Sequence, residues 1–145
     1  MKELTIYEAG KMSGLGLQQM LTWRIELTKE LEDVAEMVGV KVNAVNPVNY
    51  FNFVQKRHQT ESEIMKFDLS KVKQSDIVIV NMDGLNTSIG TCIELYEAYK
   101  REIPVLAFGS NKLYEELHPW VQCCITRHDK TYKETVNYIK EFYMT

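Results

Sequence analysis

A nearly continuous apolar run, Ile77 to Val80 after Asp76, constrains the fold of this chain more than any other feature. A strand with one solvent-exposed face alternates polar and apolar residues, whereas this run has no polar position. Strands that are covered on both faces are typical of parallel sheets with helices packed on each side. The run therefore predicts an α/β fold.

Strand-like and helix-like segments alternate along the rest of the chain. The strand patterns cover residues 4–7, 40–45, 76–80 and 104–108, with a weaker one at 121–126. The helix patterns cover residues 17–38, 60–74, 88–103, 111–117 and 130–143. This alternation predicts a doubly wound parallel sheet with right-handed crossovers. We expect a single domain over residues 1–145, because no repeat, low-complexity tract or linker divides the sequence.

The composition predicts a soluble, cytoplasmic protein. Seventeen Lys and Arg against 20 Asp and Glu leave a formal charge of -3, which argues against a protein that neutralises a nucleic-acid backbone. The first apolar run is too short for a signal peptide, and no segment has the length of a membrane span. The three cysteines include no Cys-x-x-Cys pair. We therefore expect neither a nucleic-acid polymer nor a membrane as partner.

One pair of residues has the spacing of metal ligands. Cys124 and His128 lie four positions apart and would share a face if that segment were helical. Two ligands do not complete a closed site. Buried strand cysteines and a surface histidine are therefore the favoured interpretation, and we expect no metal.

Doubly wound sheets bind ligands at the carboxyl ends of their strands, where the strand order reverses. The candidate loops are residues 7–14, 46–53, 81–90 and those from 109 onward. The first loop contains glycines that permit close approach of a ligand to the backbone, but it matches neither a Walker motif nor a complete Gly-x-Gly-x-x-Gly. Nearby aromatic residues either stack on a planar base or pack in the core. They are Trp23, Tyr50, Phe51 and Phe53.

The loop after the third strand combines acidic, hydroxyl and glycine residues at a helix amino terminus, which is a natural anion site. A helical side chain leans toward the residue four positions earlier, and for Glu94 that residue is Gly90. Glu94 can thus present its carboxylate in an open pocket. The apolar stripe of this helix consists of Ile89, Cys92, Ile93, Tyr96 and Tyr99. Because Glu94 lies off that stripe, a solvated surface carboxylate is the other interpretation.

Two further candidates have simple structural interpretations. Asp68 lies near the middle of the second helix pattern, where Lys71 and Lys73 favour a surface carboxylate. His118 and Trp120 flank Pro119, and the pattern alone does not separate packing from binding.

Several short motifs follow one another in a specific order. They are Tyr7-x-Ala-Gly-x-Met, Asn46-Pro47, Asp68-Leu, Ser75-Asp76-Ile-Val-Ile-Val, Ser88-Ile-Gly-Thr-x-x-Glu94-Leu-x-x-Ala98 and Ile103-Pro104-Val105. Together they resemble the nucleoside 2-deoxyribosyltransferase family over most of the chain. The resemblance implies a flavodoxin-like, five-stranded parallel sheet. It also implies a homodimer or larger oligomer whose active sites borrow residues from a neighbouring subunit.

The resemblance implies a role for each motif residue. Glu94 is the nucleophile that attacks the anomeric carbon of a 2-deoxyribosyl group, so that a second base or water takes the sugar from a covalent intermediate, as in retaining glycosidases. Tyr7 orients this nucleophile, and Asp68 holds or protonates the base. Gly10 and Met12 line the sugar and base pocket. No metal or organic cofactor is implied.

One departure from the family pattern concerns the substrate. Ser88 stands where the deoxyribosyltransferases carry an aspartate that holds the sugar hydroxyl. The related deoxynucleoside 5'-monophosphate N-glycosidases have a serine there that binds the 5'-phosphate, whereas Asp83 in the same loop can replace the missing acid. His118 and Trp120 correspond to the region that contributes to a partner's pocket. Transfer to another nucleobase, hydrolysis to free base and deoxyribose 5-phosphate, and nucleotide binding without turnover therefore stay open.

Overall fold

The computed structural model describes residues 2–50 and 57–145. Within these residues, five parallel strands form one sheet in the order β2-β1-β3-β4-β5. The strands are β1 (Glu3–Ala9), β2 (Lys41–Val45), β3 (Ile77–Asn81), β4 (Val105–Phe108) and β5 (Arg127–Asp129). The order reverses between β1 and β3, which is the flavodoxin-like arrangement. The predicted fold class is therefore confirmed.

Helices cover both faces of the sheet. In the described residues they are α1 (Leu17–Val38), α2 (Glu61–Lys73), α3 (Ile89–Lys100), α4 (Asn111–Glu115), α5 (Pro119–Cys123) and α6 (Tyr132–Tyr143). Short 3₁₀ turns occupy Pro47–Tyr50 and Leu85–Thr87. Helices α1 and α6 pack on one face, and α2 and α3 pack on the other. Across residues 2–50 and 57–145, no helix is both long and apolar enough to span a membrane.

The apolar run of β3 lies at the centre of this arrangement. Ile77 and Ile79 belong to the core under α1 and α6, while Val78 and Val80 belong to the core under α2 and α3. All four side chains are fully buried. This two-sided burial is the reason that the run has no polar position.

Local signals set the helix ends. Thr60 Oγ1 accepts a hydrogen bond from the Glu63 amide at 3.2 Å, and Glu63 Oε2 accepts one from the Thr60 amide at 2.7 Å. This reciprocal capping starts α2. Gly39 ends α1 with φ at 73°, a left-handed conformation that favours glycine.

The prediction of a strand at residues 121–126 is wrong. Pro119 lies in the first turn of α5, and the Nδ1 atom of His118 accepts a hydrogen bond from the Trp120 amide, so this segment begins as a helix. The strand that pairs with β4 starts only at Arg127.

The interpretation of buried strand cysteines is also wrong. Cys123 is exposed at the end of α5, and Cys124 is half-buried just after it, while Cys92 lies on α3. His128 lies half-buried on β5, where its ring stacks on Tyr114 at 3.8 Å between centroids. Cys124 and His128 therefore do not share a helix face.

Candidate active site

A cavity of about 530 Å³ opens at the carboxyl ends of β1 and β3, where the strand order reverses. The β1–α1 loop, α2 and α3 form its walls. Among its lining residues are Gly10, Met12, Asp68, Ser88, Gly90 and Glu94. The parallel sheet thus brings together residues from three separate parts of the sequence.

Helix α3 turns most of its apolar stripe away from the core, and only Cys92 of that stripe packs against it. Ile89 is 77% exposed and Tyr96 is 56% exposed, whereas Glu94 is only 9% exposed. The inward face consists of Thr91, Glu94, Leu95, Glu97 and Ala98. The negative charge of Glu97 is compensated by three cations at 3.2 to 3.8 Å, which are Lys73, Lys100 and Arg101. Within the described residues, Glu94 forms no such salt bridge. The interpretation of Glu94 as a solvated carboxylate is wrong.

A hydrogen bond from Tyr7, on strand β1, holds the Glu94 carboxylate in place. Tyr7 points to the same face of β1 as the core under α2 and α3, and its side chain is fully buried. Its hydroxyl donates a hydrogen bond to Glu94 Oε2. Burial, followed by the negative charge of Glu94, raises the pKa of Tyr7, so the phenol stays protonated and remains a donor.

The two acids of the cavity hold protons more tightly than ordinary carboxyls. Burial raises the pKa of Glu94 to about 8. The hydrogen bond from Tyr7 opposes this increase, the negative charge of Asp68 adds to it, and the positive charge of Arg24 also opposes it. Burial raises the pKa of Asp68 to about 6, and the charge of His58 opposes this shift. At neutral pH the pair therefore carries close to one proton.

The space above Glu94 is open. Apart from its chain neighbours and the backbone of its own helix, a Cβ atom added to Gly90 would meet no atom of the described residues within 4 Å. Because Gly90 lies one helical turn before Glu94, a ligand can approach the carboxylate from that side.

Ser88 is buried at the amino terminus of α3. Its hydroxyl lies 2.6 Å from Thr91 Oγ1. The loop before it is tied to the β1–α1 loop, because Lys11 Nζ donates a hydrogen bond to Thr87 Oγ1 at 2.8 Å. The serine thus lies where two loops of the cavity wall meet.

Four of the candidate residues do not line this cavity: Tyr7, which reaches it only through Glu94, and Asp83, His118 and Trp120. Asp83 is exposed, and its amide donates to Asn81 Oδ1. His118 caps α5, and Trp120 is 80% exposed. Among the aromatic candidates, Trp23 packs behind the cavity and Tyr50 packs on Phe67, while Phe51 and Phe53 lie outside the described residues.

Arg24, a buried residue behind the cavity, does not stand out among the sequence motifs. It lies on the inward stripe of α1 with Met20, Leu27, Leu31 and Ala35 and is fully buried. A charged residue at an apolar position of a helical stripe is the signal that could have revealed it.

The charged groups that line the cavity in the described residues are all carboxylates, from Glu61, Asp68 and Glu94. The same parts of the chain contain no cluster of three or more His, Cys, Asp and Glu residues that could hold a metal ion.

Solved structures share this fold. A conserved protein from Enterococcus faecalis V583 is 18% identical, with a TM-score of 0.75 over 96% of this chain and 98% of that one. A 2-deoxyribosyltransferase from Bacillus psychrosaccharolyticus is 20% identical, with a TM-score of 0.60 over 92% and 91%. A CMP N-glycosidase from Clostridium botulinum is 18% identical, with a TM-score of 0.55 over 95% and 98%. At these identities the likeness shows a common fold.

Sequence comparison identifies the family. No curated protein matches the chain at a significant level. The family model for nucleoside 2-deoxyribosyltransferase matches residues 6–134, which include Tyr7, Asp68 and Glu94. The chain therefore belongs to the nucleoside 2-deoxyribosyltransferase family.

Proposed function

We propose that this protein cleaves the N-glycosidic bond of a 2'-deoxynucleoside or its 5'-monophosphate and transfers the deoxyribosyl group to another nucleobase. The observation that carries the proposal is the buried Glu94 carboxylate, which Tyr7 holds at an open cavity of about 530 Å³. Family membership and the deoxyribosyltransferase and CMP N-glycosidase neighbours support glycosyl transfer or N-glycosidase chemistry.

The reaction proceeds as a double displacement. A Glu94 oxygen forms a bond to the anomeric carbon while the bond from that carbon to the base nitrogen breaks, and the base leaves with the electron pair. In the second step a nitrogen of the incoming base attacks the same carbon, which releases Glu94 as a carboxylate. Two inversions retain the configuration of the sugar.

Asp68 carries the proton. In the first step its carboxyl group protonates the departing base, and in the second step it takes the proton that the incoming base loses. The reaction thus needs Glu94 ionised and Asp68 protonated. Between pH values of about 6 and 8 the pair carries one proton, which lies mostly on Glu94 because its pKa is the higher of the two, so the reaction proceeds from the minor form in which the proton lies on Asp68. Tyr7 orients Glu94 and favours its charged form.

The other cavity residues bind the substrate. Gly10 and Met12 line the pocket for sugar and base, and Gly90 leaves space above the nucleophile. Asp83 is exposed and outside the cavity lining, which argues against its replacing the missing sugar-binding acid.

A second candidate function is hydrolysis of 5'-monophosphates to free base and deoxyribose 5-phosphate. The buried Ser88 at the start of α3 favours it, because the hydroxyl and the first amides of a helix bind anions. The carboxylates of the described lining favour an uncharged nucleoside instead, since they repel a phosphate group.

We also propose a homodimer or larger oligomer with shared sites. In the part of the chain that the structure describes, His118 and Trp120 are outside the lining of the cavity, which favours their contacting the substrate of a neighbouring subunit. The exposed apolar residues of α3 begin at the cavity with Ile89 and Ile93 and continue to Tyr96, which is a suitable surface for a second copy.

Chromatography of reaction mixtures tests the proposal. The protein is incubated with deoxynucleosides and with their 5'-monophosphates, each with and without a second free base. Glu94→Gln removes the nucleophile, while Glu97→Gln changes a buried glutamate of the same helix outside the cavity and is the matched control.

Each outcome separates the candidates. New nucleoside that forms only with added base, and only when Glu94 is present, supports the transferase. Free base from monophosphates alone supports the hydrolase. Absence of any Glu94-dependent product contradicts both, and nucleoside affinity that is unchanged in Glu94→Gln would then identify a binding module.

A further inference from the structure

Arg24 makes an unusual set of contacts for a buried cation. Its Nε donates to the Glu8 carbonyl at 3.2 Å, its Nη1 to the Met20 carbonyl at 2.6 Å, and its Nη2 to the Gly10 carbonyl at 3.1 Å. The side chain is fully buried. Within the described residues, no carboxylate lies within salt-bridge distance of it.

These contacts hold the end of β1 next to the cavity. Glu8 directly follows Tyr7, and Gly10 is the first cavity residue of the β1–α1 loop. The Arg24 guanidinium therefore links the β1 backbone next to Tyr7, the hydrogen-bond partner of Glu94, to the Gly10 backbone in the cavity wall. A rigid fork with several donors is suited to this task, which a lysine cannot reproduce.

Trp23 completes a platform behind Gly10. The Arg24 Cζ atom lies 4.3 Å from the Trp23 ring centroid. A Cβ atom added to Gly10 would come within 2.6 Å of Trp23 Cζ2 and 3.3 Å of Arg24 Nη2. The loop backbone thus lies directly on these two side chains.

In residues 2–50 and 57–145, no acid contacts Arg24 to neutralise its charge. Burial lowers its pKa to about 10, so the guanidinium stays charged at neutral pH. The acidic groups around it are Glu8, Tyr7 and Glu94. In a buried, weakly screened environment an unpaired charge acts over several ångströms.

We propose that Arg24 is a positioning residue of the active site, which fixes Tyr7 and Gly10 through the backbone and favours the ionised Glu94 carboxylate through its charge. The proposal rests on the proposed role of Glu94 as the nucleophile. Glu94 is faced by Tyr7 from β1, by Asp68 from α2 and by Arg24 from α1. Of these, Arg24 alone is a cation.

Two substitutions separate the two effects. Arg24→Met removes both the charge and the hydrogen bonds, whereas Arg24→Lys keeps the charge and loses the forked contacts. Arg101→Met is the matched control, because it removes an arginine charge just after α3 and outside the cavity. Thermal unfolding establishes which variants are folded.

The first readout is the titration of Glu94, followed by carboxyl ¹³C NMR and assigned with Glu94→Gln. We expect Arg24→Met to raise the pKa of Glu94 by about one unit, and Arg24→Lys and Arg101→Met to leave it nearly unchanged. A folded Arg24→Met with unchanged Glu94 titration would overturn the electrostatic part.

The second readout is the rate at the optimum pH. We expect Arg24→Lys to lower kcat roughly tenfold, because Tyr7 and Gly10 lose their fixed backbone. A kcat of Arg24→Lys equal to that of the wild type would overturn the positioning part. Arg24→Lys also keeps the proposal testable if Arg24→Met does not fold. Absence of Glu94-dependent turnover in the wild type would refute the proposed function alone, since the NMR titration still tests Arg24.

Discussion

The hydroxyl of Tyr7 donates a hydrogen bond to the carboxylate of Glu94, although 87 positions separate the two residues in the chain. Tyr7 comes from the central strand β1 and Glu94 from the helix that follows the neighbouring strand β3. Both side chains are buried, so neither partner is easily replaced by water. The contact gives Glu94 one fixed orientation while its other oxygen stays available for chemistry.

The paired acids predict a bell-shaped dependence of kcat/KM on pH, with a maximum at about 7 between the pKa values of about 6 for Asp68 and about 8 for Glu94. Below the lower value both acids are protonated and the nucleophile is lost. Above the higher value neither can protonate the leaving base. Initial rates across this pH range test the prediction, and a profile that rises steadily to high pH contradicts it.

We expect removal of the Tyr7 hydroxyl to change the catalytic rate more than the stability of the fold. In Tyr7→Phe the Glu94 carboxylate loses a donor that favours its charged form, so its pKa rises. We expect kcat to fall roughly tenfold to a hundredfold and the high-pH limb to move upward. Tyr132→Phe, on the opposite face of the sheet, is the control. An unchanged profile in Tyr7→Phe would show that the contact has no catalytic role.

We expect substitutions of the two cavity glycines to affect stability in opposite directions. Gly90→Ala adds a methyl group in open space and removes a glycine from a helix, so we expect a free energy of unfolding higher by about 0.5 to 1 kcal/mol. The same methyl group narrows the approach to Glu94 and raises KM. Gly10→Ala instead clashes with Trp23 and destabilises the protein by about 1 to 3 kcal/mol. Denaturant unfolding and steady-state kinetics of both variants test this contrast.

Because of the buried Glu8 carboxyl group, we expect the free energy of unfolding to decrease as the pH rises. The Glu8 side chain is fully buried, and Thr28 donates to its Oε2 at 2.6 Å. Its Oε1 has no hydrogen-bond partner among the described residues. Burial raises its pKa from 4.5 to about 7. Between these values the folded state binds more protons than the unfolded state, so the free energy of unfolding decreases with rising pH.

We expect Glu8→Gln to remove this contribution. Relative to wild type, the variant gains on the order of 2 to 3 kcal/mol of stability between pH values of about 5 and 8. Urea unfolding of both proteins at the two pH values gives the difference, in which the contributions of Asp68 and Glu94 cancel. Parallel pH dependence in the two proteins would exclude Glu8 as its source.

Shared active sites predict subunit complementation. Light scattering is expected to give at least a dimer, and Tyr96→Glu, on the exposed face of α3, is expected to dissociate it. Trp120→Ala and Glu94→Gln are each expected to be weakly active, whereas their mixture regains activity because one site of a mixed dimer carries neither change. A strictly monomeric wild type refutes this arrangement.

Much of the fold follows from local patterns in the sequence. The apolar run at residues 77–80 and the capping pair Thr60 and Glu63 predict elements that the structure contains, because burial period and helix capping act over a few residues. The pattern at 121–126 indicates a strand wrongly, because its apolar residues pack as a helix that Pro119 begins. Short apolar segments do not distinguish the two conformations.

The sequence by itself determined the order of strands and helices as far as α4, the family, and the presence in α3 of an acid one helical turn after a glycine. The tertiary structure alone determined that α3 turns Glu94 inward and Tyr96 outward, since packing of this helix against the sheet departs from its hydrophobic periodicity. It also determined the environment of Glu94, whose partners Tyr7, Arg24 and Asp68 come from distant parts of the chain. The chemistry of a buried carboxylate depends on such neighbours, and only the folded chain brings them together.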